Sequence, residues 1–193
     1  NCVRISNRYR MYMKSSDLRN VVLLGHGRAG KTTLADIILG VLEPQQGKVL
    51  VDGKNIADNA YAWHATIGYI PQTIFLLDDS IKRNVAFGMK EEDIDEGRIQ
   101  KALEKAQLWD FVSGLKDGIN TVVGERGARL SGGQRQRIGI ARALYSDPDV
   151  LIFDEATSAL DNETEKAVME AIDNLAGKKT LIIIAHRFST IQD

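Results

Sequence analysis

The sequence is poor in cysteine, in long apolar runs and in net charge, and each shortage excludes a class of protein. Cys2 is the only cysteine among 193 residues, so an internal disulfide framework is impossible and a reducing compartment is expected. The longest apolar runs, such as residues 181–184, fall far short of the ~20 residues that a membrane-spanning helix needs. The net charge of -1 supplies no basic field, so no nucleic-acid partner is expected.

The ends of the chain carry little information about targeting. It begins with Asn1, and its first residues lack the apolar segment of a signal peptide. We therefore expect a fragment or a processed piece. Its content of 44% hydrophobic and 26% charged residues suits one globular domain with a real core.

Three short apolar runs, at residues 21–24, 150–153 and 181–184, predict buried strands. They are rich in Val, Ile and Leu without alternation, which is typical of strands covered on both faces. Helical periodicity lies between them, for example at Leu34, Ile37 and Val41. This alternation predicts an α/β fold with a mainly parallel sheet.

Each predicted strand is followed by residues suited to chemistry. Gly25 opens a glycine-rich loop, Asp154 and Glu155 follow the second strand, and His186 comes just after the third. Because ligands in such folds bind at the carboxyl ends of the strands, these residues are expected to form one site.

The loop at residues 25–32, GHGRAGKT, matches the pattern G-x-x-x-x-G-K-[ST] between a strand and a helix. Backbone N–H groups in such a loop hold nucleotide phosphates, while Lys31 would reach the β- and γ-phosphates and the Thr32 hydroxyl would bind Mg²⁺. A flexible glycine turn is the alternative. The predicted nucleotide-binding residues are Gly25, Gly27, Arg28, Ala29, Gly30, Lys31, Thr32 and Thr33.

Two acidic residues and a histidine complete a predicted catalytic set. Asp154 would hold Mg²⁺, since hard cations prefer oxygen ligands. Glu155 would orient or deprotonate the attacking water, and His186 would sense the γ-phosphate. Transfer of a phosphoryl group depends mainly on positioning and charge neutralisation, so this small set can suffice. A solvated strand end and an ordinary capping histidine are the alternatives.

A second glycine-containing helix start, at residues 130–134, LSGGQ, lacks acidic residues and precedes Arg135 and Arg137. Helix N-termini favour negative charge, so this composition predicts an external anion there.

Five motifs of this chain together resemble those of the nucleotide-binding domain of the ATP-binding cassette (ABC) family, exporter type. They are the loop at 25–32, YIPQ (69–72), LSGGQ (130–134), LIFDEATSALD (151–161) and IAHR (184–187). The resemblance runs from about Val21 to the end. It implies a P-loop NTPase (RecA-like) core with an inserted α-helical subdomain. The expected divisions are a divergent N-terminal arm (1–20), the C-terminally truncated ATP-binding core (21–72 and 148–193) and the signature subdomain (73–147).

The resemblance also implies roles for further residues. Gln72 would contact Mg²⁺ and take part in catalysis, Asp161 would form the D-loop, and residues 121–127 would form an X-loop. The signature residues would grip the ATP held by a second nucleotide-binding domain, in a homodimer or heterodimer; they are Leu130, Ser131, Gly132, Gly133 and Gln134. The Q-loop and X-loop would contact a transmembrane domain.

The function implied by the resemblance is ATP hydrolysis that drives export across a membrane. The domain would bind ATP and Mg²⁺ at the cytoplasmic face of a bacterial inner membrane. Two alternatives remain, a soluble ABC ATPase acting on DNA or ribosomes and a degenerate cassette that binds nucleotide without hydrolysis. Against the DNA-repair type, the roughly hundred residues between Gly25 and Ser131 contain no heptad pattern.

Residues 1–20 depart from the family pattern, which supplies two antiparallel strands and an aromatic residue that stacks on adenine. We expect a solvated or disordered arm here, with Tyr9 and Tyr12 as surface or packing residues. The sequence also stops before the last strands and helix of family members.

Arg28 generates a first testable prediction, because the family usually has glycine at this place in the phosphate loop. A bulky side chain where backbone must curl around phosphate is expected to strain the loop or fill the anion site. Arg28→Gly should therefore bind ATP more tightly in titration calorimetry. An unchanged dissociation constant would contradict this interpretation.

Overall fold

The computed structural model describes residues 2–6, 9–12, 20–24, 35–44, 47–51, 53–154, 166, 170 and 179–185. Its described strands are β1 (Cys2–Ser6), β2 (Tyr9–Tyr12), β3 (Asn20–Leu24), β4 (Leu50–Val51), β5 (Lys54–Asn55), β6 (Ile67–Ile70), β7 (Val150–Asp154) and β8 (Thr180–Ala185). Its described α-helices are α1 (35–39), α2 (Ala60–Ala65), α3 (Ile81–Val85), α4 (Glu96–Lys105), α5 (Trp109–Ser113) and α6 (Gly132–Tyr145).

Among the described residues, the main sheet has four strands in the order β3–β8–β7–β6. All three pairings are parallel, which confirms the predicted α/β fold with a mainly parallel sheet. The three predicted strands are β3, β7 and β8, each extended by one or two residues. Two short antiparallel pairs, β1–β2 and β4–β5, accompany this sheet.

The sequence did not predict β6, the fourth strand of the main sheet. It is only four residues long and contains Gly68. A Cβ atom on Gly68 would lie 2.7 Å from the carbonyl oxygen of Ala143, so glycine allows α6 to pack closely on this strand. Gly68 therefore weakens the sequence pattern of β6, but the close packing of α6 on this strand requires it.

The central strand β7 is buried over its whole length and contributes to two hydrophobic clusters. Leu151 and Phe153 pack in the larger cluster, which also contains residues of α4 and α6. Val150 and Ile152 pack in the other cluster, with α1 and α2. Alternate residues of a strand point to opposite faces, so this division confirms that the strand is covered on both faces.

Helices dominate the chain between β6 and β7, from α3 to α6. In α4, Ile99, Ala102 and Leu103 are buried, and Ala106 at its C-cap is also buried, which confirms the helical face predicted for these residues. Asp147 connects this part to the sheet, because its carboxylate accepts hydrogen bonds from Lys179 before β8 and Lys105 of α4 at 3.0 and 3.1 Å. These two bonds, Lys179 first, lower the pKa of Asp147.

The expectation of a disordered N-terminal arm was wrong for residues 2–6 and 9–12. These residues form the antiparallel pair β1–β2, with Val3 opposite Met11 and Arg4 opposite Arg10. The pairing satisfies backbone hydrogen bonds that a solvated arm would leave to water. The basic composition of the segment concealed this pairing.

Two aromatic rings of α2 close the C-terminal end of α1. The N–H groups of Val41 and Leu42 both donate to the backbone carbonyl of Asp36. The carbonyl groups of Ile38 and Leu39, at the end of α1, therefore need other donors. The Trp63 indole donates to the carbonyl of Ile38 at 2.8 Å in a buried position. His64 Nε2 lies 2.7 Å from the Leu39 carbonyl oxygen at the exposed edge.

Trp63→Phe should destabilise the fold, because it leaves the buried Ile38 carbonyl without its donor while it keeps an aromatic ring. We expect the free energy of unfolding in urea to fall by about 1–3 kcal/mol. Trp109→Phe is the matched control, since its half-buried indole makes no hydrogen bond to the described residues. Equal losses in the two variants would contradict the role of this hydrogen bond.

Candidate functional site

Many of the predicted site residues lie outside the described residues. They are Gly25, Gly27, Arg28, Ala29, Gly30, Lys31, Thr32, Thr33, Glu155, Asp161 and His186, and their roles stay predictions. The structure does describe Gln72, Asp154 and the signature residues at 130–134.

Asp154 is the last residue of β7 and only 9% exposed. Its backbone is in register with Ile184 of β8, so the parallel ladder fixes the place of its side chain at the carboxyl edge of the sheet. Tyr69 of β6 donates a hydrogen bond from its hydroxyl to Asp154 Oδ2 at 3.3 Å. Burial, and then the charge of Asp154, raises the pKa of Tyr69 to about 12, so the phenol is protonated at neutral pH.

The sequence did not single out Tyr69 for a role at the site. The contact joins residues 85 positions apart, and it depends on the pairing of β6 with β7. Its only local signal is its place three residues before Gln72.

The donor chemistry at this sheet edge fits Mg²⁺. The ion takes oxygen ligands, keeps several waters and is usually bound in nucleotide sites by one or two protein side chains plus phosphates. A buried carboxylate at Asp154 and an amide oxygen at Gln72 are ligands of this kind. Among the described residues, no group of three or more His, Cys, Asp or Glu could bind a metal by itself.

Gln72 is exposed and follows the end of β6 by two residues. The segment after it rests on α6, where Ile74 packs against Gly139. A Cβ atom on Gly139 would lie 2.7 Å from Ile74 Cγ1. The absence of a side chain at this helix position therefore lets the segment after Gln72 approach α6.

The signature residues form the N-terminus of α6. Ser131 is the N-cap and closes a capping box with Gln134: its hydroxyl accepts from the Gln134 N–H at 3.2 Å, and Gln134 Oε1 accepts from the Ser131 N–H at 2.9 Å. The N–H groups of Gly132 and Gly133 have no acceptor among the described residues. Leu130 and Gly133 are buried, whereas Ser131 and Gly132 are exposed, so the N-cap and the first residue of this helix face solvent.

The two arginines that follow the signature do not serve as free cations. Arg135 Nη1 donates to the carbonyl groups of Leu130 and Gly127 at 2.6 and 3.2 Å. Arg137 Nη1 donates to the carbonyl of Gln107 at 2.8 Å, and burial lowers its pKa. These hydrogen bonds hold the loop and α6 in place, so both arginines have a structural role beside the predicted anion site.

Five apolar side chains are exposed near the Gln72 segment and the predicted X-loop: Phe75, Leu77, Phe87, Met89 and Val122. We call this set the apolar surface. Val122 joins the others because residues 121–123 lie beside residues 79–81, through a β-bridge between Ser80 and Val122 and a 3.1 Å bond from the Val123 N–H to the Asp79 carbonyl.

Arg142 of α6 connects that helix to the apolar surface through hydrogen bonds and an aromatic contact. Its guanidinium donates to the Phe75 carbonyl at 2.9 Å and to the Asn84 carbonyl and side-chain oxygens at 2.8 and 3.2 Å. It also lies 4.8 Å from the centre of the Phe87 ring. Asn84 is fully buried and bonds in turn to the backbone of Leu77 on both N–H and carbonyl. The surface is therefore tied to the signature helix.

Comparisons with known proteins find relatives of this chain in both sequence and structure. Residues 10–158 match the family described as ABC transporter. The chain is 42% identical over 185 residues to an ATP-dependent lipid A-core flippase of Ralstonia nicotianae, covering 95% of this chain and 31% of that relative. It is 43% identical to a sophorolipid transporter of Starmerella bombicola, covering 90% of this chain and 14% of that relative. A solved bacterial Atm1-family ABC exporter with ATP bound aligns with a TM-score of 0.79 and 39% identity, covering 91% of this chain and 30% of that one.

The parallel sheet and these matches define an α/β protein of the P-loop NTPase class. The chain belongs to the ABC transporter family and is a nucleotide-binding domain of exporter type. It spans about a third of the length of the flippase relatives. In the part of the chain that the structure describes, no helix combines the length and apolarity that a bilayer crossing requires.

Gly139→Ala should lower the stability of the fold when residue 74 is isoleucine and raise it when residue 74 is alanine. In a helix, alanine is worth about 1 kcal/mol over glycine, but crowding against Ile74 costs about 1–3 kcal/mol. We expect the variant to be less stable in urea than the parent chain. In an Ile74→Ala background, which removes the crowding atoms, the same change should raise stability by up to about 1 kcal/mol. Destabilisation in both backgrounds would contradict this contact.

Proposed function

We propose that this chain is the ATP-hydrolysing domain of an ABC exporter and that it acts as a head-to-tail dimer around two ATP molecules. The observation that carries the proposal is the N-terminus of α6, where Ser131 and Gly132 are exposed and the N–H groups of Gly132 and Gly133 lack an acceptor among the described residues. Helix starts of this kind bind phosphate. The family match supports ATP as the ligand whose phosphate is bound there.

The capping box favours an anion that comes from outside the chain. Ser131 and Gln134 satisfy each other's N–H groups, which leaves the N–H groups of Gly132 and Gly133 as the donors for such an anion. The first turn of α6 contains no acidic residue that would repel a phosphate. In this proposal the γ-phosphate that reaches Gly132 and Gly133 belongs to the ATP bound by the loop at 25–32 of a second domain.

Hydrolysis would take place where β7 ends. Thr32, Asp154 and Gln72 would hold Mg²⁺, which supplies charge neutralisation to the phosphates when bound. Lys31 would bind the β- and γ-phosphates. Glu155 would orient or deprotonate the attacking water, and His186 would contact the γ-phosphate. These residues position groups and stabilise charge, which is most of what phosphoryl transfer requires.

The apolar surface is the proposed docking site for a transmembrane domain. Exposed apolar side chains that cluster on one side of a domain mark interaction sites, and this cluster adjoins both the Q-loop segment and the X-loop. Arg142 links it to α6, so a movement of the signature helix would be passed to the docked partner. The membrane transporters among the relatives support this arrangement. The domain would then lie at the cytoplasmic face of a bacterial inner membrane.

Glu155→Gln should trap the closed dimer, because it removes the carboxylate proposed to activate water and leaves ATP binding intact. In the complete transporter, cysteines introduced at Gly27 and Ser131 should cross-link between copies when ATP and Mg²⁺ are present. Little cross-linking is expected with ADP.

The control for this trap adds Ser131→Arg to Glu155→Gln. Because position 131 is then occupied by arginine, the cysteines of the control stand at Gly27 and Gly132. A bulky side chain at the signature should abolish closure while the nucleotide loop still binds ATP. Cross-links that form equally well with and without ATP, or within a single copy, would contradict the dimer.

A further inference from the structure

The ladder between β6 and β7 brings a phenol beside the carboxylate at the end of β7. Tyr69 is paired with Ile152, and Asp154 lies two residues further along, on the same face by strand alternation. The Tyr69 hydroxyl reaches Asp154 Oδ2 at 3.3 Å. An ionised carboxylate can only accept, so the phenol is the donor.

We propose that Tyr69 is a positioning residue for the Mg²⁺-binding carboxylate. Its hydroxyl donates to Oδ2 and thereby restrains the rotation of the Asp154 side chain at the carboxyl edge of the sheet. This inference rests on the function proposed above for Asp154. Groups that orient metal ligands by hydrogen bonding commonly change metal affinity by about 10–100-fold when they are removed.

The surroundings of Tyr69 separate this role from simple packing. Its ring packs against the cluster that contains Ile152 and Ile184, a task that phenylalanine would perform equally well. The hydroxyl adds only one contact, because Asp154 is its sole hydrogen-bond partner in the described part of the chain. Removing the hydroxyl therefore tests the contact with Asp154 and spares the core.

Tyr69 also connects the two proposed metal ligands that the structure describes. It lies in the strand that leads through Pro71 to Gln72, while its hydroxyl holds the residue that ends β7. The hydrogen bond thus ties the strand that carries one ligand to the side chain of the other. Its loss should loosen the metal site without changing the loop at residues 25–32.

The test compares Tyr69→Phe with Tyr61→Phe in the complete transporter. Tyr61 is 87% exposed on α2, so its variant loses the same atom far from any core contact. Mn²⁺ binding is titrated by electron paramagnetic resonance in the presence of a non-hydrolysable ATP analogue. We expect about 10-fold weaker Mn²⁺ binding in Tyr69→Phe, and parental affinity in Tyr61→Phe. Analogue binding in EDTA should be unchanged in both.

Three outcomes would overturn the inference. Parental Mn²⁺ affinity in Tyr69→Phe would show that the hydroxyl does not orient the ligand. Weaker analogue binding in EDTA would show that it supports the fold. A further loss of Mn²⁺ affinity when Tyr69→Phe is added to Asp154→Asn would show that it acts elsewhere. If the parent protein binds no Mn²⁺ with the analogue, the proposed function itself fails, which is a distinguishable result.

Discussion

The burial of β7 on both faces and its pairing on both edges is the constraint from which the site follows. A strand enclosed in this way cannot shift its register without moving an entire face of core side chains. Its last residue, Asp154, is therefore held at a fixed place on the sheet edge, next to Tyr69 from β6 and in register with β8. The proposed metal ligand at the end of this apolar strand is thus held in place by the packing and pairing of the rest of the strand.

The same sheet also positions the signature helix. α6 packs on β6 through the close approach at Gly68 and receives the segment after Gln72 at Gly139. From this support it projects Ser131 and Gly132 into solvent, and Arg142 joins its other end to the apolar surface. One helix thus packs on β6, begins with the proposed phosphate-binding residues and is bonded to the proposed docking surface. Two glycines permit the close contacts on which this connection depends.

Much of the fold could be predicted from local sequence, and part of it could not. The strands that contain residues 21–24, 150–153 and 181–184 were predictable because their apolar runs are uninterrupted. β6 was not, since Gly68 serves a contact with a distant helix. The contacts of Tyr69 with Asp154 and of Arg137 with the Gln107 carbonyl join residues 85 and 30 positions apart, which no local pattern encodes. The nucleotide loop, Glu155 and His186 stay predictions from motifs.

The central claim is that ATP lies between two copies of this domain, each of which supplies half of the site. The most direct measurement is a structure of the complete transporter that carries Glu155→Gln, with ATP and Mg²⁺, at a resolution that shows side chains. The account predicts each triphosphate between residues 25–32 of one copy and Ser131, Gly132 and Gly133 of the other. A triphosphate enclosed by a single chain, with Ser131 directed into solvent, would contradict it.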